Sequence, residues 1–87
     1  MPTKSVQFGA HAHFEMRRRG IRPNEVVQTI LNPGQVVTST KGREIYQRLI
    51  GSKGHMLLRV VVKQTASMYH VIPAYKTSKI AKYWRAP

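Results

Sequence analysis

The chain has 87 residues and a mass of 9.9 kDa, the size of one small domain, expected over residues 1–87. Lys and Arg number 15 against 3 Asp and Glu, so the formal net charge is +12 and the pI is near 11.1. Cysteine is absent, which excludes disulfides, a thiolate nucleophile and an iron–sulfur cluster, while 41% hydrophobic residues suffice for a packed core.

In chain order, Gln7-Phe8 ends a short first strand. Residues Ala10 to Arg19 read as a helix that Gly20 stops, with Ile21 placed to fold back onto it. Pro23 suits the first position of a second helix, and Glu25 suits the positive end of its dipole. Val26, Val27, Ile30 and Leu31 make its apolar stripe, and Asn32-Pro33-Gly34 ends it. Val36 to Thr40 is β-branched and extended, and Lys41-Gly42 signals a turn. Glu44 to Ile50 alternates, with Ile45 and Leu49 on one face and Tyr46, Arg48 and Ile50 on the other. After the turn Gly51-Ser52-Lys53-Gly54, Met56 to Lys63 is the strongest strand, with Met56, Leu58, Val60 and Val62 on one face. Met68 to Tyr75 makes the last strand, where Pro73 marks an edge or a bulge. Thr77 or Ser78 caps a short terminal helix carrying Ile80, Tyr83 and Trp84 at core spacing. The expected class is α+β: two N-terminal helices on one face of a three- to four-stranded antiparallel sheet, then a short C-terminal helix.

The chain holds no apolar run near the roughly 20 residues that span a bilayer. Its first eight residues lack the apolar centre of a signal peptide. The cytoplasm is the expected compartment, with no membrane partner. Cations are spread along both halves of the chain, so the domain presents a positive surface on several sides. Such a field attracts polyanions, of which nucleic acid is the commonest, ahead of an anionic partner protein or a membrane surface.

Four groups carry candidate chemistry. His11 and Glu15 lie four residues apart on the first helix, with Arg18 on the same side and Arg19 at its border. Imidazole, carboxylate and guanidinium on one face form a set for general acid–base work beside a phosphate, and equally an ordinary ion-paired helix surface. The run Arg17-Arg18-Arg19 is either phosphate-binding or solvated charge at a helix end. His11 and His13 point about 200° apart on a helix. With no third ligand nearby, no metal site is expected. Lys76, Lys79 and Lys82 recur every three residues and line one exposed stripe for phosphates. Arg59 is the lone charge within Leu57–Val62 and must reach a sheet rim, a carboxylate or a ligand. Gln47 and Arg48 in the preceding strand are less informative.

His11-Ala12-x-x-x-Met16-x-x-Arg19-Gly20-Ile21 resembles the opening His-Ala-x-x-Arg-Met-x-x-Arg-x-Ile signature of the small prokaryotic family called domain of unknown function 4258. Ile45-Tyr46-Gln47, Leu58-Arg59-Val60-Val61-Val62 and Tyr75-x-Thr77-Ser78-Lys79-Ile80 resemble its strands and its end, so the likeness runs from His11 to Trp84. That family is grouped with the barnase–colicin–RelE-like fold of metal-independent ribonucleases and toxins. The resemblance implies a cleft between the first helix and the sheet. It carries His11 and Arg19 on the helix, Arg59 on the central strand, and Tyr75 and Thr77 at the last strand. Glu15 departs from the signature, replacing a phosphate-binding cation with a base or a structural ion pair.

On the resemblance, His11, Glu15, Arg59 and Tyr75 form the catalytic set. Arg59 holds the scissile phosphate, Glu15 or His11 takes the 2′-hydroxyl proton, and the other, or Tyr75, assists the leaving group. Arg18, Arg19, Thr77, Lys76, Lys79 and Lys82 contact the nucleic acid. The reading is a toxin-type endoribonuclease that needs no cofactor. The alternatives are a non-catalytic RNA- or ribosome-binding module, or an interaction domain for an acidic, antitoxin-like protein. The two RNA readings separate on whether His11 and Glu15 face the basic cleft.

Overall fold

The structure, a computed structural model, describes residues 4–39 and 41–85. Among these residues the order is β1 (Ser5–Phe8), α1 (Ala10–Arg18), α2 (Pro23–Leu31), β2 (Gln35–Thr38), β3 (Arg43–Ile50), β4 (Met56–Gln64), β5 (Met68–Thr77) and α3 (Ile80–Tyr83). Thr40, at the end of the expected extended stretch, lies outside the described residues, as do residues 1–3 of the N-terminal segment.

The class is α+β, and the sheet differs from expectation in two ways. It has five strands, in the order β1-β5-β4-β3-β2, and it is mixed. β2 through β5 form the expected antiparallel meander. β1 instead runs parallel to β5, with Ser5 opposite Met68 and Phe8 opposite Val71. Sequence pattern gave little hold on a strand of four residues whose burial simply alternates.

The expected helices form for the expected reasons. α1 ends in a Schellman motif. The N–H of Gly20, at φ +69°, donates to the Arg17 carbonyl at 3.2 Å, and that of Ile21 donates to Met16 at 2.8 Å. Ile21 is thereby folded back and buried. Pro23 opens α2, and Thr29 bonds back to the Glu25 carbonyl at 2.8 Å. The α2 stripe is narrower than expected: Val26, Thr29 and Ile30 are buried, whereas Leu31 is exposed.

Both helices cover one sheet face. Ala12 and Met16 of α1 and Val26 and Ile30 of α2 pack with Tyr46, Leu58, Val60, Val62, Val71 and Ala74 in one cluster. β4 therefore sends Leu58, Val60 and Val62 to the helices and Leu57, Arg59 and Val61 to the opposite face. Pairing skips register between Val60 and Val62, and Pro73 lies in that bulge, beyond the last residue of β5 paired with β1. α3 and Trp84 lie on the second face, where Trp84 packs over Gly34.

Candidate functional site

The outer side of α1 carries the first group of candidates. His11 is exposed and lies one turn before Glu15. The Glu15 carboxylate accepts from Arg18 Nη2 at 2.6 Å and sits 3.2 Å from Arg19 Nη2. The hydrogen bond from Arg18 is the chief reason its pKa lies below the usual 4.5; partial desolvation opposes it, and the charges of Arg18, Arg19 and His11 assist. A carboxylate so held is a poor proton acceptor, so Glu15 serves better to orient arginines than to act as a general base. Arg19 also donates Nη1 to the Ala74 carbonyl at 2.9 Å, tying α1 to an open stretch of β5. Its role is thus partly structural. Arg17 and Arg18 remain on the solvent side.

The second group lies on the other face of the sheet. Gln47, Arg59 and Tyr75 are paired across β3, β4 and β5 and share that face. Arg59 is only 7% exposed and Gln47 is fully buried. Arg59 Nε donates to Gln47 Oε1 at 3.0 Å and Nη1 donates to Tyr75 Oη at 2.5 Å. The Tyr83 ring of α3 stacks over the guanidinium, 3.9 Å from Cζ to its centroid. Gln47 Nε2 donates in turn to Gln35 Oε1 at 2.8 Å and to the Tyr83 carbonyl at 3.1 Å. Gln35 closes the network on Arg85, accepting from its N–H at 3.0 Å and donating to its carbonyl at 2.5 Å.

Among the described residues, the hydrogen-bond partners of Arg59 are neutral. The chain has 3 carboxylate side chains. Glu15 is held by Arg18 and Arg19, Glu25 lies 3.5 Å from Lys76, and Glu44 accepts from Gln64 at 2.8 Å. Burying a cation without a counter-charge costs several kcal/mol in desolvation. Two hydrogen bonds and a cation–π contact of about 2 kcal/mol offset part of that cost. Among the described residues Nη2 forms no hydrogen bond, and no buried side-chain polar atom lacks a partner. A buried arginine whose partners among the described residues are all neutral is a candidate phosphate ligand.

The expected single cleft is not formed. α1 packs on the Leu58, Val60 and Val62 side of β4, while Arg59 projects from the opposite side. His11 and Glu15 are therefore separated from Arg59 and Tyr75 by the thickness of the sheet. The lysine stripe is also broken. Lys76 belongs to β5, where Nζ lies 3.5 Å from Glu25 of α2 and 3.4 Å from the Gly20 carbonyl, on the helix side. Lys79 and Lys82 flank or lie within α3 on the other side, where Lys82 Nζ lies 5.3 Å from the centroid of the Tyr83 ring. Thr77 does not cap α3: its Oγ1 accepts from the Lys79 N–H at 3.1 Å, fixing the turn before the helix. Among the described residues no cluster of three metal-ligating side chains occurs, and no helix is long and apolar enough to cross a membrane.

No protein-family model matches the chain, and no curated protein matches it in sequence. The likeness to domain of unknown function 4258 thus stays a resemblance of motifs. A solved structure does match. The chain is similar to the ribonuclease toxin BrnT of Brucella abortus, with a TM-score of 0.66 over 88% of this chain and 100% of that one. At 15% identity the likeness shows a shared fold.

Three members of the Arg59 network were not singled out for it in the sequence: Gln35, Gln47 and Tyr83. A signal existed for Gln47, an amide inside an apolar strand that a simple hairpin places opposite Arg59. Tyr83 was expected in the core, and its contact with Arg59 depends on where α3 docks.

Proposed function

We propose that the chain is a metal-independent, RNA-directed endoribonuclease of toxin type, with Arg59 as the phosphate ligand and Tyr75 as the proton donor. The observation that carries the proposal is the buried Arg59 guanidinium, which has no carboxylate partner among the described residues and is joined to the Tyr75 hydroxyl at 2.5 Å. The ribonuclease-toxin fold and the net charge of +12 support it. In this reaction the 2′-hydroxyl of the RNA attacks its own 3′-phosphate. Arg59 stabilises the charge that grows on the phosphorane. Tyr75 gives its proton to the departing 5′-oxygen, and solvent takes the proton of the 2′-hydroxyl and restores that of the phenol. Nucleophile and leaving group both belong to the RNA, so no metal is needed. Arg17 and Arg18 add to the positive surface that gathers the substrate.

A second reading, a non-catalytic RNA-binding module, is favoured by His11 and Glu15 lying across the sheet from Arg59 and by the Tyr83 ring that stacks on Arg59 at 3.9 Å. One experiment separates the two. Total RNA is incubated with the parent, Arg59→Ala and Tyr75→Phe, each with and without a chelator. Endoribonuclease action requires cleavage that the chelator does not reduce. It also requires a loss of about 10²–10⁴-fold in Tyr75→Phe, typical for one acid–base group, with RNA binding kept. Intact RNA beside tight, salt-dependent binding establishes the binding module instead. Cleavage at the parent rate by Arg59→Ala rules out this site.

A further inference from the structure

On the solvent side of α1, Ala10, His13, Phe14, Arg17 and Arg18 line a shallow, open groove. Phe14 is 62% exposed, the highest value among the large apolar side chains described. Its burial contributes nothing to the core, because Ala12 and Met16 form the inward side of α1. His13 is set by the Phe8 ring, 5.2 Å away between centroids, and forms one wall. Arg17 and Arg18 follow Phe14 by three and four residues, so their side chains neighbour its ring on the helix surface. Arg18 is shared with Glu15, while Arg17 makes no ion pair among the described residues.

We infer that this groove is a stacking platform for an unpaired nucleotide of RNA: the base lies on the Phe14 ring and its flanking phosphate on Arg17. The inference rests on the RNA-directed reading above and adds a preference for single strands. Charge complementarity selects the occupant. The groove pairs one aromatic face with two guanidiniums on a domain of net charge +12, which matches a base with its phosphate. A docked protein helix would need further apolar anchors beside Phe14. The other exposed large apolar residues, Leu31, Val36 and Leu49, belong to α2, β2 and β3.

The test is fluorescence anisotropy with a short labelled 2′-O-methyl RNA, which lacks the nucleophile and so cannot be cleaved by the proposed route. The same strand annealed to its complement serves as the duplex probe. Phe14→Ala should weaken single-strand binding about 5- to 140-fold, the range that about 1–3 kcal/mol per stacked base converts to. Duplex binding should change less than about twofold, because paired bases offer no free face. Phe14→Trp should retain single-strand affinity. Phe14→Ala should keep the salt slope of the parent, whereas Arg17→Ala should lower it by about 0.7, one phosphate contact. Thermal melting of Phe14→Ala should match the parent, as expected for an exposed side chain. Equal single-strand affinity of Phe14→Ala and parent overturns the platform and leaves the endoribonuclease reading intact. Equal losses on single strand and duplex also overturn it. A parent that cleaves nothing but shows the Phe14-dependent preference keeps the platform and removes the catalytic reading. A parent that binds neither probe removes both.

Discussion

Gly34→Ala tests how α3 is seated over Arg59. A Cβ at Gly34 would fall 2.6 Å from Trp84 Cη2, 3.2 Å from Cζ3 and 3.3 Å from the Gln47 carbonyl oxygen. That carbonyl already accepts from the Gly34 N–H at 2.9 Å and has little freedom to move. The indole must therefore shift, and α3 ends beside it. Two effects oppose each other. Overpacking of this kind costs about 1–3 kcal/mol. Gly34 is not among the positive-φ residues, so alanine fits its backbone and gains about 0.4–1 kcal/mol by restricting the unfolded chain. The clash outweighs the gain, leaving a net loss of up to about 2.6 kcal/mol. At about 4–8 °C per kcal/mol for a domain of this size, Tm falls by several degrees. The chain has one Trp, so its emission reports the shift directly, moving to longer wavelength as the ring meets water. In a Trp84→Ala background only the 3.3 Å approach to the Gln47 carbonyl oxygen remains, so the same Gly34→Ala change should cost less than in the parent. A raised Tm with unchanged emission in the single variant would refute the packing of Trp84 on Gly34.

Met16→Ala should cost about 2–5 kcal/mol, seen as a lower urea midpoint, because Met16 is 1% exposed and joins α1 to the sheet. The folded pKa of Glu15 lies below 4.5, so its ion pairs add stability above that value and lose it as pH falls through the folded pKa. Stability measured below about pH 4.5 should therefore drop more steeply in the parent than in Glu15→Gln. Equal slopes would show that the Arg18 pair adds nothing. Replacing Lys79 and Lys82 by Ala should lower the single-strand salt slope by up to about 1.4. Lys76→Ala should lower it less, since Lys76 faces Glu25.

The helices and the meander were legible because each has a local cause. Gly20 ends α1 through a motif that needs a positive φ, and Pro23 opens α2. Alternation in β3 and β4 with a tight connection between them fixes an antiparallel hairpin. The parallel pairing of β1 has no local cause: it depends on β5, at the far end of the sequence. The site was half legible for the same reason. Arg59 stands out as a charge in an apolar strand. Alternation settles that it shares a face with Gln47 and Tyr75, yet only the docking of α1 and α3 decides which helix meets which face. Motif order along the chain placed His11 and Arg59 in one cleft, and the inward turn of Leu58 and Val60 toward α1 puts them on opposite sides.

The pairing of Ser5 with Met68 also bears on how the molecule assembles. The hairpins of β2 to β5 close over short loops, whereas β1 must find a partner across most of the chain. Closing so long a loop costs more entropy, and contacts this distant in sequence slow folding. On a ribosome the order is awkward, since β1 emerges well before its partner strand. β1 and the start of α1 therefore wait until β5 has been made. The Arg59 network, contained within Gln35 to Arg85, needs none of β1 and can form around the meander alone. Amide exchange should follow that division, with β1 protected late in refolding and β4 early.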